Sequence, residues 1–93
     1  MTPEERIVFI QTHLKAALSP QYIAVEDESA RHAGHKGHGG GGHYQVTIVA
    51  EAFNGKSLLE RHRMVYSAVQ EGIGQDIHAL SIKAYTPQEN PLS

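Results

Sequence analysis

The chain has 93 residues, 40% of them hydrophobic, and a formal net charge of -2 with its histidines neutral. That is enough for one domain with a modest core, and the negative charge argues against a generic polyanion binder. No apolar run is long enough to span a bilayer, and the acidic start Met1-Thr2-Pro3-Glu4-Glu5 is unlike a secretory leader. Cysteine is absent, so a disulfide framework is excluded and a cytoplasmic setting is expected.

The first helix is signalled by Thr2 as cap, Pro3 at the first helical position and Glu5 completing a Thr-x-x-Glu capping box. Ile7, Ile10, Leu14, Ala17 and Leu18 form its expected apolar stripe, and Ser19-Pro20 stops it. Tyr22 to Asp27 alternates as a strand, with Ile23 and Val25 on one face. A loop follows, about residues 29–43. Tyr44 to Ala52 is a second strand, with Tyr44, Val46, Ile48 and Ala50 inward. Phe53-Asn54-Gly55-Lys56 turns the chain, and Ser57-Leu58-Leu59-Glu60 is a second capping box opening a second helix. Its expected stripe is Leu58, His62, Val65 and Val69, widened by Leu59, Tyr66 and Ala68, with Gly72 and Gly74 ending it. Ile77 to Tyr85 reads as a third strand with Leu80, Ile82 and Ala84 inward. Thr86-Pro87-Gln88-Glu89 suits a final short turn, and residues 90–93 a frayed tail.

The order α-β-β-α-β(-α) defines a fold class. The first two strands are joined by a loop and should be antiparallel; the second and third are joined by a helix and should be parallel. The expected architecture is a single α+β domain, with both helices on one face of a three-stranded mixed sheet.

The candidate chemistry lies in histidines. His32, His35, His38 and His43 share the stretch Arg31 to His43 with six of the nine glycines. Such a tract binds transition metals weakly whatever its origin, and a tolerated surface insertion is the plainer alternative. His78 falls at the start of the third strand, on the face of Leu80, Ile82 and Ala84. The topology brings the end of the first strand and the start of the third to the same end of the sheet, so Arg31-His32 and His78 should converge. A hydrogen-bonded core histidine is the alternative for His78, and the expected role for His62. Lys56, Arg61 and Arg63, with Lys83, form a possible basic rim for anions or nucleic acid, or simply a solvated face. Catalysis has no support: there is no nucleophile elbow, no cysteine nucleophile and no P-loop.

Four segments together resemble the BolA family. They are Val25-Glu26-Asp27-Glu28-Ser29, the strand Tyr44 to Phe53, the block Phe53-x-Gly55-Lys56-Ser57-Leu58-Leu59-x-Arg61-His62-Arg63-Met64-Val65-Tyr66, and Ile77-His78-Ala79-Leu80-Ser81-Ile82-Lys83-Ala84-x-Thr86-Pro87. The resemblance implies a type II KH-like topology and a non-enzymatic adaptor that pairs with a monothiol glutaredoxin. The pair would share a [2Fe–2S] cluster, with sulfur from the glutaredoxin and glutathione and histidine from this chain. By itself the chain would carry no cofactor and would be a monomer or weak dimer. The family's strand histidine matches His78. Its loop ligand most nearly matches His32, with His35, His38 and His43 as alternates. The resemblance also implies a second possibility, a DNA-binding transcriptional regulator using the second helix and the Phe53 to Ser57 turn. The KH clamp itself is missing, because Gly55-Lys56-Ser57-Leu58 lacks its second glycine.

Overall fold

The computed structural model describes residues 2–28, 42–70 and 77–90. The elements run α1 (Pro3–Leu18), β1 (Tyr22–Asp27), β2 (Gly42–Val49), a 3-10 turn at Glu51–Phe53, α2 (Leu58–Val69), β3 (Ile77–Tyr85) and a second 3-10 turn at Pro87–Glu89. This is the expected α+β order. Three boundaries differ from expectation, the first being that β2 opens at Gly42 rather than at Tyr44. β2 stops at Val49 because Ala50 begins a turn, its carbonyl accepting from the Phe53 N–H at 3.2 Å. At the C-terminal end Asn90 is tied, its N–H donating to the Pro87 carbonyl at 3.4 Å.

Both expected capping boxes are present. The Thr2 hydroxyl accepts from the Glu5 N–H at 3.1 Å, and the Glu5 carboxylate accepts from the Thr2 N–H at 2.7 Å. Ser57 and Glu60 repeat the pattern at 3.1 and 2.8 Å. The N–H donors of Thr2 and Ser57 hold the Glu5 and Glu60 carboxyls below the usual carboxylate range. α1 ends where Ser19 turns left-handed at φ 46°, its N–H donating to the Lys15 carbonyl at 3.1 Å. Ahead of α2, Gly55 has φ +75°, a backbone state that side chains disfavour.

The sheet order is β1-β2-β3, antiparallel between β1 and β2 and parallel between β2 and β3. Tyr44, Val46 and Ile48 on one face of β2 are buried with Leu80 and Ala84 of β3. Ile10 and Leu14 of α1, Val65 and Val69 of α2, and Phe53 complete this core, so both helices cover one face. Ile7 and Leu18 pack at the margin of the core, whereas Ala17, expected in the stripe, is exposed.

The expected stripe of α2 needs a larger correction. Leu58 is 68% and Leu59 60% exposed, Tyr66 is 38% exposed and His62 is half-buried. The buried line is Arg61, Val65 and Val69, with Met64 and Ala68 at its margin. Arg61, expected on a solvated basic rim, is only 7% exposed. Its Nε donates to the Lys56 carbonyl at 3.0 Å and its Nη1 to the Ala84 carbonyl at 3.1 Å. Nη1 and Nη2 also grip the Glu89 carboxylate at 2.7 and 3.3 Å. This fork is what makes burial of a cation tolerable. Glu89 accepts in addition from the Thr86 N–H at 2.9 Å, and the Thr86 hydroxyl accepts from the Glu89 N–H at 3.3 Å, so the terminal turn is a third capping box closed onto α2.

Two predictions follow from this packing. Arg61→Ala should cost on the order of 2–4 kcal/mol, because it removes a charge-assisted fork and leaves the Ala84 carbonyl unpaired. His62→Ala should cost less than about 1 kcal/mol, since its partial exposure lets water replace its contacts. Denaturant unfolding of the two variants measures both. The Glu89 carboxyl is lowered from 4.5 to about 2, first by the Arg61 guanidinium and then by the Thr86 N–H. Because the folded-state value is the lower one, this contribution is fully present above about pH 4.5 and is lost as the pH falls through about 2. Glu89→Gln should therefore show the shallower fall in melting temperature across that window.

Candidate functional site

The strand directions gather one end of the sheet. β1 finishes there at Asp27, paired with Tyr44, and the next residue donates its N–H to the His43 carbonyl at 2.7 Å. β2 and β3 both start there, Gly42 opposite Ile77 and His43 opposite Ala79. Between those two pairs β2 advances one residue and β3 two. The register therefore slips at Gly42/His43, and His78 is the additional residue on β3. Such a bulge interrupts the ladder and bends the strand, and bulges recur beside functional sites because they re-aim a side chain.

The bulge bears on how His78 was read. Placing it on the face of Leu80, Ile82 and Ala84 assumed unbroken alternation, and alternation breaks at that residue. The bulge itself was not foreseen, since no glycine or proline marks the β3 side and Gly42, on the β2 side, ends a glycine run expected to be loop. The expected placement of the β1 end and the β3 start at one end of the sheet is realised, with β2 between them, whereas Arg31 and His32, expected to converge on His78, lie outside the described residues. His35 and His38 also lie outside them. His43, the last of the alternates, is the second residue of the central strand, half-buried and level with the residue after His78.

The remaining basic and histidine side chains lie elsewhere. His62 is on α2, and Lys56 and Arg63 are exposed at and beyond the N-terminal end of that helix. Arg61 is withdrawn from any surface role by its burial. His13, which no sequence motif marks, stacks on Phe9 with ring centroids 4.0 Å apart, and its Nδ1 donates to the Phe9 carbonyl at 2.9 Å. That arrangement is local to α1.

The donor chemistry of the sheet end is narrow. Positions 43 and 78 bring imidazole nitrogens, suited to borderline metals, and the chain has no thiolate. Among the described residues no three of the His, Asp and Glu side chains group around a common point. A metal centre at this edge therefore needs further ligands from outside the described residues or from another molecule. Among the described residues no helix is long and apolar enough to cross a membrane.

Comparison with known proteins places this arrangement. A family described as BolA-like protein matches residues 14–89. The Arabidopsis thaliana protein BOLA1, chloroplastic, is 39% identical over 92 residues, which is 95% of this chain and 58% of that protein. The Escherichia coli (strain K12) DNA-binding transcriptional regulator BolA is 39% identical over 80 residues, 86% of this chain and 74% of that protein. The solved BolA domain of SufE1 from Arabidopsis thaliana superposes with a TM-score of 0.81 at 44% identity, covering 91% of this chain and 95% of that one. The chain spans 23% and 58% of the lengths of two plant relatives. The match runs from within α1 to the terminal turn and includes Arg61, Glu89 and the His78 bulge, and by this extent the chain belongs to the BolA-like family.

Proposed function

We propose that the chain is a non-enzymatic adaptor that pairs with a monothiol glutaredoxin and shares a [2Fe–2S] cluster with it, in iron–sulfur trafficking or iron regulation. The observation that carries this reading is the placement of His43 and the bulge residue His78 at neighbouring strand starts in a chain without cysteine. Imidazole is the only metal donor of borderline softness the chain has, so the sulfur must come from the partner and from glutathione. In this reading His78 is one ligand. His43 competes with His32, His35 and His38 for the other place. When bound, a cluster held partly by imidazole has a higher reduction potential than one held by thiolate alone. The chain's own part is to fix the His78 imidazole on a strand.

Co-expression with a monothiol glutaredoxin, followed by visible absorption and circular dichroism of the purified pair, tests the proposal. His78→Ala should alter the visible bands and shorten the cluster's lifetime by about tenfold or more, with the far-ultraviolet spectrum unchanged. Bands and lifetime identical to those of the unsubstituted pair would remove His78 from the ligand set. His43→Ala separates the remaining candidates: a matching effect assigns the second place to His43, and none returns it to the loop.

A second reading, DNA binding, is favoured by the Escherichia coli relative that bears that description and by the exposed Lys56 and Arg63 beside the Gly55 turn. Arg61 has no part in it. If it holds, the Lys56→Ala, Arg63→Ala pair should lower the salt slope of duplex binding by about 2, one unit per lost phosphate contact. A slope unchanged by both substitutions would dismiss this surface.

A further inference from the structure

We propose that Tyr66 is a positioning residue for the His78 edge, acting through the Leu80 carbonyl; the functional half of this proposal rests on the reading of His78 given above. Among the described residues β3 has a neighbouring strand on one side only. The Tyr85 carbonyl accepts from the Ala50 N–H at 3.0 Å, so it faces the β2 side. Alternation along a strand then turns the carbonyls of Leu80, Ile82 and Ala84 to the outer edge. Two of these three are taken by side chains of α2. Arg61 Nη1 donates to the Ala84 carbonyl at 3.1 Å, and the Tyr66 hydroxyl donates to the Leu80 carbonyl at 2.9 Å. The helix thus supplies at two points what a fourth strand would supply continuously.

The two anchors hold different ends. Arg61, with Glu89 behind it, fixes the end of β3 next to the terminal turn. Tyr66 fixes the end at which the three strands gather. Only Ala79 separates Leu80 from His78, and the bulge withdraws ladder support at His78 itself. Of the two α2 side chains that hold outer carbonyls of β3, Tyr66 is the one nearer the bulge. Tyr66 is also 38% exposed and lies outside the core cluster, so removing its hydroxyl leaves the core packing in place.

Tyr66→Phe in the full chain tests this, because it keeps the ring and removes the donor. Without metal, amide exchange at Ala79 and Ser81, whose N–H groups face β2, should quicken about tenfold while Lys83 and Tyr85 exchange as before, since local opening releases one end of the strand alone. The Hα–Hβ couplings of His78 should move toward rotamer averaging. In the glutaredoxin pair, cluster lifetime should shorten several-fold with the affinity for apo-glutaredoxin unchanged. Exchange at Ala79 and Ser81 as slow as in the parent chain overturns the proposal. So does acceleration spread evenly along β3, which would make Tyr66 a residue of general stability; Val69→Ala in the core supplies the reference for that even pattern. Failure of the parent chain to assemble a cluster would count against the adaptor reading, and the exchange data would still decide the role of Tyr66.

Discussion

The parallel pairing of β2 with β3 is the constraint on which the rest of this molecule depends. A parallel pair needs a crossover of helical length, and that crossover contains α2, which lies against the core face of the sheet. With β1 antiparallel to β2, the same pairing brings the end of β1 and the starts of β2 and β3 to one edge. His43 and His78 are neighbours for that reason, although 34 positions separate their numbers. The site is thus a consequence of strand direction, and the one-residue slip at its margin is a local departure that the pairing tolerates because it falls at the end of the ladder.

The helix on that crossover has a second task. An outer strand with free carbonyls invites pairing with other chains. Here α2 covers the outer edge of β3 with two polar side chains, one buried and charged, one half-open and neutral. Arg61 does this at the cost of desolvating a guanidinium, and the Glu89 carboxylate offsets that cost. The terminal turn is accordingly part of the fold. Its capping box presents Glu89 to Arg61, and Arg61 joins the turn, β3 and the Lys56 carbonyl into one network.

Much of this was legible in the sequence, and the exceptions have physical causes. Capping boxes at Thr2 and Ser57, strand alternation over 22–27 and 44–48, and the strand-helix-strand order sufficed for the element order and topology. What failed was the phase of α2. Its apolar residues are spread around the helix, so periodicity alone favoured Leu58 and His62 over Arg61. The deciding contact, a carboxylate 28 residues further on, is not a local signal. The site was legible to the level of the sheet end, because topology alone brings those strand ends together. The bulge was not, because nothing in Ile77-His78-Ala79 differs in type from an unbroken strand. Among the histidines, glycine-loop composition drew attention to positions 32, 35, 38 and 43; the first three lie outside the described residues, and His43 stands on β2 beside β3.

The central claim is that imidazole from this chain, bound at the His43/His78 edge, completes a cluster whose sulfur belongs to a partner. The direct measurement is pulsed electron paramagnetic resonance on the reduced cluster of the glutaredoxin pair, with this chain alone carrying nitrogen-15 histidine. The account predicts strongly coupled nitrogen from the labelled chain, with one coupling lost in His78→Ala. A reduced cluster with no nitrogen coupling from the labelled chain would contradict it.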